Sequence, residues 1–305
     1  MNPQSLDRFR LVGRTGFVSD DTEQSALLAQ ALSRARCDPH LTAAYFRRSM
    51  IGWFARLPFG IGLGTLRACV RMALGFSEPG VASAGNGAAM RAHVIGAAMP
   101  RDERARTQLA RTIARLTHTD ERAVQASELV ATLTAICVKA PSNVSPAVLL
   151  EGAAAGVHNA ELARAIEQGL ASTSLSPRRA AERLGNTGFV VHSMAIASYA
   201  FGGASTPLQG IERAICAGGD TDTHAAIVGG WLGGLHGQRA LPRELIARIH
   251  DGPFGPTHLN RLAFALSLHE LGVVRTPRYS WIAALLRNLA LYPVILGHGL
   301  RRVIQ

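Results

Sequence analysis

The chain has 305 residues, 48% of them hydrophobic, enough for a large core in one domain or two small ones. Its formal net charge of +11 is carried by arginines spread along the whole length, with Lys139 the only lysine. No basic block interleaved with aromatics occurs, which argues against a dedicated nucleic-acid platform, and the 6% aromatic content with abundant Ala and Leu suits close-packed helices.

Residues 1–10 are polar and lack the apolar core of a secretory signal. A first helix is predicted from a Ser19/Asp20 cap to about Arg36, with Glu23 completing a capping box and Leu27, Leu28, Ala31 and Leu32 forming its stripe. Pro39 opens the next, from His40 to Arg56. A Gly-rich break over Pro58–Gly64 precedes helical spacing from Thr65 to Leu74, and Ser77–Gly87 reads as loop. Helices follow over Ala88–Ala98, Asp102–Leu116 and, capped by Asp120, to Lys139. Further helices are predicted at Pro146–Ala155, Asn159–Leu170, Pro177–Leu184, Val190–Phe201 and Pro207–Ala217. After Thr223 the small residues Ala225, Ala226, Gly229, Gly230, Gly233 and Gly234 imply a central helix approached closely by its neighbours, because glycine costs about 1 kcal/mol in a helix interior.

Alternating Val/Ile runs with hairpin turns are absent, so the expected class is all-α, a single domain over 1–305 with 278–305 as an apolar helical extension. Arg287, Asn288, Pro293 and His298 interrupt Trp281–Leu300, so that stretch is read as a buried or surface-attached helix, not a span. Its basic flank, Arg301-Arg302, leaves peripheral membrane contact open. Cys37, Cys69, Cys137 and Cys216 stand far apart in apolar contexts and read as buried free thiols of a reducing, cytoplasmic compartment.

Two acidic clusters flanked by hydroxyls carry the chemistry: Ser19-Asp20-Asp21-Thr22 and Gly219-Asp220-Thr221-Asp222-Thr223. Carboxylates crowded so closely repel unless a cation or proton neutralises them, and Asp with Ser or Thr supplies the all-oxygen ligands of hard divalent ions. Helix capping is the alternative for either cluster alone.

With Gly85-Asn86-Gly87-Ala88-Ala89-Met90-Arg91 and Thr117-His118-Thr119-Asp120 between them, these clusters resemble, in order, the four signatures of the ADP-ribosylglycohydrolases over roughly residues 13–240. The resemblance implies an all-helical fold, two Mg²⁺ (or Mn²⁺) ions, and hydrolysis that removes ADP-ribose from a modified protein or a small ADP-ribose conjugate. It makes Ser19, Asp20, Asp21, Asp220, Asp222 and Thr223 the metal ligands, and Asp21 or Asp222 the group that stabilises positive charge and takes a proton from water. It places Gly85, Asn86, Gly87, Met90 and His118 on the ligand, with Arg91 facing phosphate or forming a structural ion pair. Gly188 and Phe189, within Asn186-Thr187-Gly188-Phe189, are implied to wall the adenosine pocket, Phe189 by stacking.

Members commonly start with a Gly-Asp-Ala-Leu-Gly helix and a nearby acid. Residues 1–18 match neither motif, and Asp7 is their sole acid. That departure keeps the metal set intact and makes a catalytically weak ADP-ribose-binding or inhibitory protein the alternative function.

Overall fold

A single buried helix organises the rest. The computed structural model describes residues 12–268 and 275–304, with side chains as far as Gly297, so Asp7 lies outside the described residues. The helices are α1 (Asp20–Ala35), α2 (Pro39–Phe54), α3 (Leu63–Ala73), α4 (His93–Ala98), α5 (Glu103–Arg115), α6 (Glu121–Lys139), α7 (Pro146–Ala154) and α8 (Ala160–Leu170). The series continues with α9 (Pro177–Leu184), α10 (Val190–Gly202), α11 (Pro207–Cys216), α12 (Thr221–His236), α13 (Arg243–Ala247), α14 (Pro256–Ser267) and α15 (Trp281–Ile304). No strand occurs among the described residues; isolated bridges join loops. Helix α6 runs through the core, packed by α4, α5, α7, α10 and α12. Gly96 of α4 lies so close to the Ala131 carbonyl of α6 that no side chain fits between them. Gly169 of α8 meets α10 in the same way at the Ala195 carbonyl.

Asp38, Asp102, Asp120, Asn159 and Thr206 each accept a backbone N–H at the start of a helix. Ser19 and Asp220 stand at the equivalent positions of α1 and α12, and neither side chain makes a cap hydrogen bond. The two acidic clusters are therefore not conventional caps.

Glu23 does not complete a capping box either. Its carboxylate turns inward, where Oε2 accepts from Trp53 Nε1 at 2.7 Å and pairs with Arg56 Nη2 at 3.3 Å, while Oε1 pairs with Arg287 of α15. Arg56 lies against Phe254 and Tyr279, its guanidinium carbon 5.0 and 4.9 Å from their ring centres. Asn288 donates to the Arg56 carbonyl at 3.0 Å, and the Tyr292 hydroxyl donates to the Leu57 carbonyl at 3.1 Å. Arg287 and Asn288, two of the residues that interrupt the lipid-like C-terminal sequence, thus dock α15 onto α1 and the end of α2. No helix among the described residues is long and apolar enough to cross a membrane.

Other local expectations change. Ala88–Ala98 is not one helix: a 3₁₀ turn over Asn86–Arg91 is followed by the short α4. Helices α13 and α14 have no counterpart in the sequence reading. Cys216 is exposed, whereas Cys37, Cys69 and Cys137 are buried. In α12, Gly230 faces His93 and Gly234 lies against Cys137 and Val138, but nothing lies near Gly233, so close packing accounts for only part of the glycine run.

Removing the Glu23 charge leaves two buried arginines uncompensated, which typically costs about 3–5 kcal/mol. Glu23→Gln is expected to lower the denaturant midpoint accordingly without changing the slope. A midpoint equal to that of the parent would show that this cluster does not hold α15 in place.

Candidate functional site

Helices α1 and α12 begin at one place, and their positive ends meet the acids. One carboxylate oxygen from each of Asp20, Asp21 and Asp222 lies within 4.8 Å of the other two. Asp220 lies near enough to Asp222 to raise its carboxyl. Asp21 is buried, Asp20 half-buried and Asp222 open at its edge. The Ser19 hydroxyl donates to Asp21 Oδ2 at 2.9 Å, whereas Asp21 Oδ1 is buried with no hydrogen-bond partner.

The electrostatics follow from this crowding. Burial, then the charges of Asp21 and Asp222, push the Asp20 carboxyl from 3.8 up to about 8. Burial and Asp222 push Asp21 up to about 7, tempered by the hydroxyls of Thr223 and Ser19. Asp222 is raised by the shelter of its carboxyl and by the neighbouring Asp220. Such a group of oxygens with an orphaned buried acceptor suits a hard divalent cation, which would supply the missing partner and neutralise the charge.

Two loops brace the cluster. Asn86 and Val190 tie them together: Asn86 N–H donates to the Gly188 carbonyl at 3.0 Å and Val190 N–H to the Ala84 carbonyl at 2.8 Å. The Asn86 side chain donates to Ser193 Oγ at 2.8 Å and to Asp220 Oδ2 at 2.7 Å, so it fixes an acid of the cluster. Asp220 N–H in turn donates to the Asn186 carbonyl at 2.9 Å. A methyl group at Gly188 would sit 2.9 Å from Asp220 Oδ2. On the other side Gly60, at φ +83°, leaves only 3.0 Å between its absent Cβ and Asp20 Oδ1. Gly60 and Ser193 were not singled out in the sequence; the only signal for Gly60 was its place in a Gly-rich break.

The glycines of Gly85-Asn86-Gly87 face inward. Their absent Cβ positions point at the His118 ring, 3.3 Å from Nε2 at Gly85 and 3.2 Å from Cε1 at Gly87. The N–H of Asn86, at the start of the 3₁₀ turn, is already bonded to the Gly188 carbonyl. His118 is buried beneath this loop, with Nδ1 2.9 Å from Thr117 Oγ1. Burial and the Arg91 charge drive its pKa down to about 3, so it is neutral near pH 7. Arg91 is wholly buried and donates to Gln24, Gly87 and Thr117; it is a structural brace with neither a phosphate-facing position nor a carboxylate partner among the described residues. Met90 is buried as well. Phe189 is half-buried beside Gly188, with the Arg122 guanidinium carbon 5.2 Å from its ring centre and a cleft of about 320 Å³ alongside.

A sequence model of the ADP-ribosylglycohydrolase family matches residues 2–277. Among solved structures, one described as an ADP-ribosylglycohydrolase-related protein complex superposes with a TM-score of 0.66 at 29% identity, over 82% of this chain and 81% of that one. No curated protein matches the chain.

The raised carboxyls set a pH dependence for the metal-free protein. The folded chain holds a proton on Asp20 that the unfolded chain releases above 3.8, so stability falls as pH rises from there towards about 8. Asp20→Asn removes that titration. In EDTA the variant should melt several degrees above the parent at about pH 8, and the gap should close as pH falls towards about 4. Buried neutral histidines contribute equally to both chains and cancel in the difference. A gap independent of pH would mean that Asp20 keeps an ordinary carboxyl.

Proposed function

The chain belongs to the ADP-ribosylglycohydrolase family, and from that membership we propose that it is a metal-dependent hydrolase that frees ADP-ribose from a modified protein or a small ADP-ribose conjugate. The observation that carries this reading is the meeting of two acidic clusters two hundred residues apart around a buried carboxylate oxygen, Asp21 Oδ1, that lacks a partner.

Ser19, Asp20, Asp21, Asp220, Asp222 and Thr223 are assigned to hold one or two Mg²⁺ or Mn²⁺ ions. The chemistry such ions supply is neutralisation of the crowded acids and polarisation of bound oxygen. The remaining steps belong to the chain. Asp222, the member open at its edge, takes the proton of the attacking water, whose oxygen bonds to the anomeric carbon as the bond to the target breaks. The surrounding carboxylates stabilise the positive charge that develops on the ribose ring. Asp21, buried and braced by Ser19, fixes the geometry of the cluster. The neutral His118 supports the Gly85–Gly87 loop from below and does not act as an acid near pH 7. Phe189, half-buried beside Gly188, is assigned to pack against the adenine base.

The test is release of ADP-ribose from arginine- and serine-linked conjugates with Mg²⁺ or Mn²⁺ present. EDTA should stop the reaction and added metal should restore it. Asp222→Ala should lower the rate by about 10²–10⁴-fold, the range for loss of a general base, with far-UV helicity unchanged. ADP-ribose at a hundred times its dissociation constant should stabilise the protein by about 2.7 kcal/mol, and Gly188→Ala, by displacing Asp220, should reduce both this shift and the rate. A thermal shift with no release from any conjugate would identify a binder instead of an enzyme.

A further inference from the structure

A second charged surface lies at the far end of α1. Arg34 stands fourteen residues beyond Asp20, about 21 Å along the helix from the acidic cluster. There it lines a cleft of about 500 Å³ together with Arg48, Arg275, Arg278, Tyr45 and Trp281. No acidic residue lines this cleft, and among the described residues none of the four arginines is ion-paired. Arg34 stacks on Tyr45 with its guanidinium carbon 4.2 Å from the ring centre. The 275–278 segment also walls a neighbouring cleft that adds Arg261 and the 61% exposed Phe264.

Helix α15 starts from the same wall at Trp281. At about 100° per residue, Ile282, Leu286, Leu289, Pro293 and Leu296 fall within an arc of about 80°. The structure leaves this stripe uncovered, with exposures of 66%, 60%, 47% and 61% at Ile282, Leu286, Leu289 and Leu296. The opposite face is the one anchored by Arg287 and Asn288. Helix α15 therefore presents an apolar stripe on a helix whose inward side is already satisfied. Residues 275–305 contain no Asp or Glu and place Arg301 and Arg302 at the other end of α15. The helix also lies beyond residues 2–277, the part matched by the family.

We propose that the arginine cleft and the outward stripe of α15 together form a docking surface for an anionic phospholipid membrane, with headgroup phosphates in the cleft and the stripe at the acyl boundary. Charge complementarity selects this occupant. Two copies of the chain paired through the stripe would bring arginine ends together with no acid to offset them. A free nucleotide or a nucleic acid would use the arginines and leave the stripe in water. An anionic bilayer satisfies both, since a helix in the interface buries its apolar face about 5–10 Å deep while basic residues meet headgroups. The acidic cluster lies at the other end of α1 from the cleft, on the anchored side of α15.

The experiment is co-sedimentation of the full chain with vesicles of phosphatidylcholine alone or mixed with phosphatidylserine, at low and physiological salt. The chain should bind the mixed vesicles, more strongly at low salt, and pure phosphatidylcholine weakly. Arg275→Ala/Arg278→Ala should lower partitioning by about 25-fold, at roughly fivefold per arginine. Leu286→Ser/Leu289→Ser should lower it by about tenfold or more. Both pairs are exposed and neither includes Arg287 or Asn288, which anchor α15, so helicity and the thermal shift with ADP-ribose should stay at parental values. Several results would overturn the proposal: no binding to phosphatidylserine vesicles at low salt, or variants that bind like the parent. Full competition by inorganic phosphate would reduce the cleft to a small-anion site. A dimer dissolved by Leu286→Ser/Leu289→Ser without vesicle binding would assign the stripe to a second copy, and tighter binding to single-stranded RNA than to vesicles would assign the cleft to nucleic acid.

Discussion

Repulsion among four aspartates at the junction of two helix N-termini is the constraint on which the rest of this structure depends. Each of these carboxyls would be solvated and charged in the unfolded chain. Folding gathers them, and the cost appears as protonation: Asp20 and Asp21 hold protons up to about 8 and about 7. The ends of α1 and α12 offset part of that cost with their positive dipoles. A hard divalent cation held among these oxygens would offset the remainder.

Holding like charges together requires rigid support from outside the cluster. Asn86, itself held by Ser193, donates to Asp220, and the Asn186 carbonyl fixes the backbone at the same residue. Gly188 and Gly60 permit the supporting loops to lie directly against Asp220 and Asp20. On the other side, Glu23 follows Asp21 by two positions and ties α1 to Trp53, Arg56 and Arg287. The helix that carries the first acids is thereby linked to α2 and to the C-terminal α15, so the position of α15 bears on the precision of the site.

The division of labour among the polar residues follows their burial. His118 and Arg91 sit under the glycine loop and act as fixed supports, because burial keeps the histidine neutral and hydrogen bonds occupy the guanidinium. Asp222 and Phe189 remain at the open side. The chemistry assigned to the protein therefore rests on a few accessible groups, and the shell beneath them sets their geometry.

Much of this was legible in the sequence. Helical periodicity, the scarcity of hairpin signals and the cap at Asp120 define the helical class, because these are local preferences that neighbours in the chain decide. The two hydroxyl-flanked aspartate pairs also marked the candidate site; Asp102-Glu103 and Asp120-Glu121 are spaced as closely, but there the aspartates serve as ordinary helix caps. What sequence alone left open was direction. Glu23 has the spacing of a capping box and turns instead to Trp53 and two arginines; Asn86 reads as a loop residue and instead clamps an aspartate. The glycines of the 85–87 loop accommodate His118, and Arg287 and Asn288 dock α15 instead of breaking it. Those outcomes depend on partners up to 264 positions away. Only tertiary packing brings such groups within hydrogen-bond reach, and the gain from satisfying a buried charge outweighs a local preference worth about 1 kcal/mol.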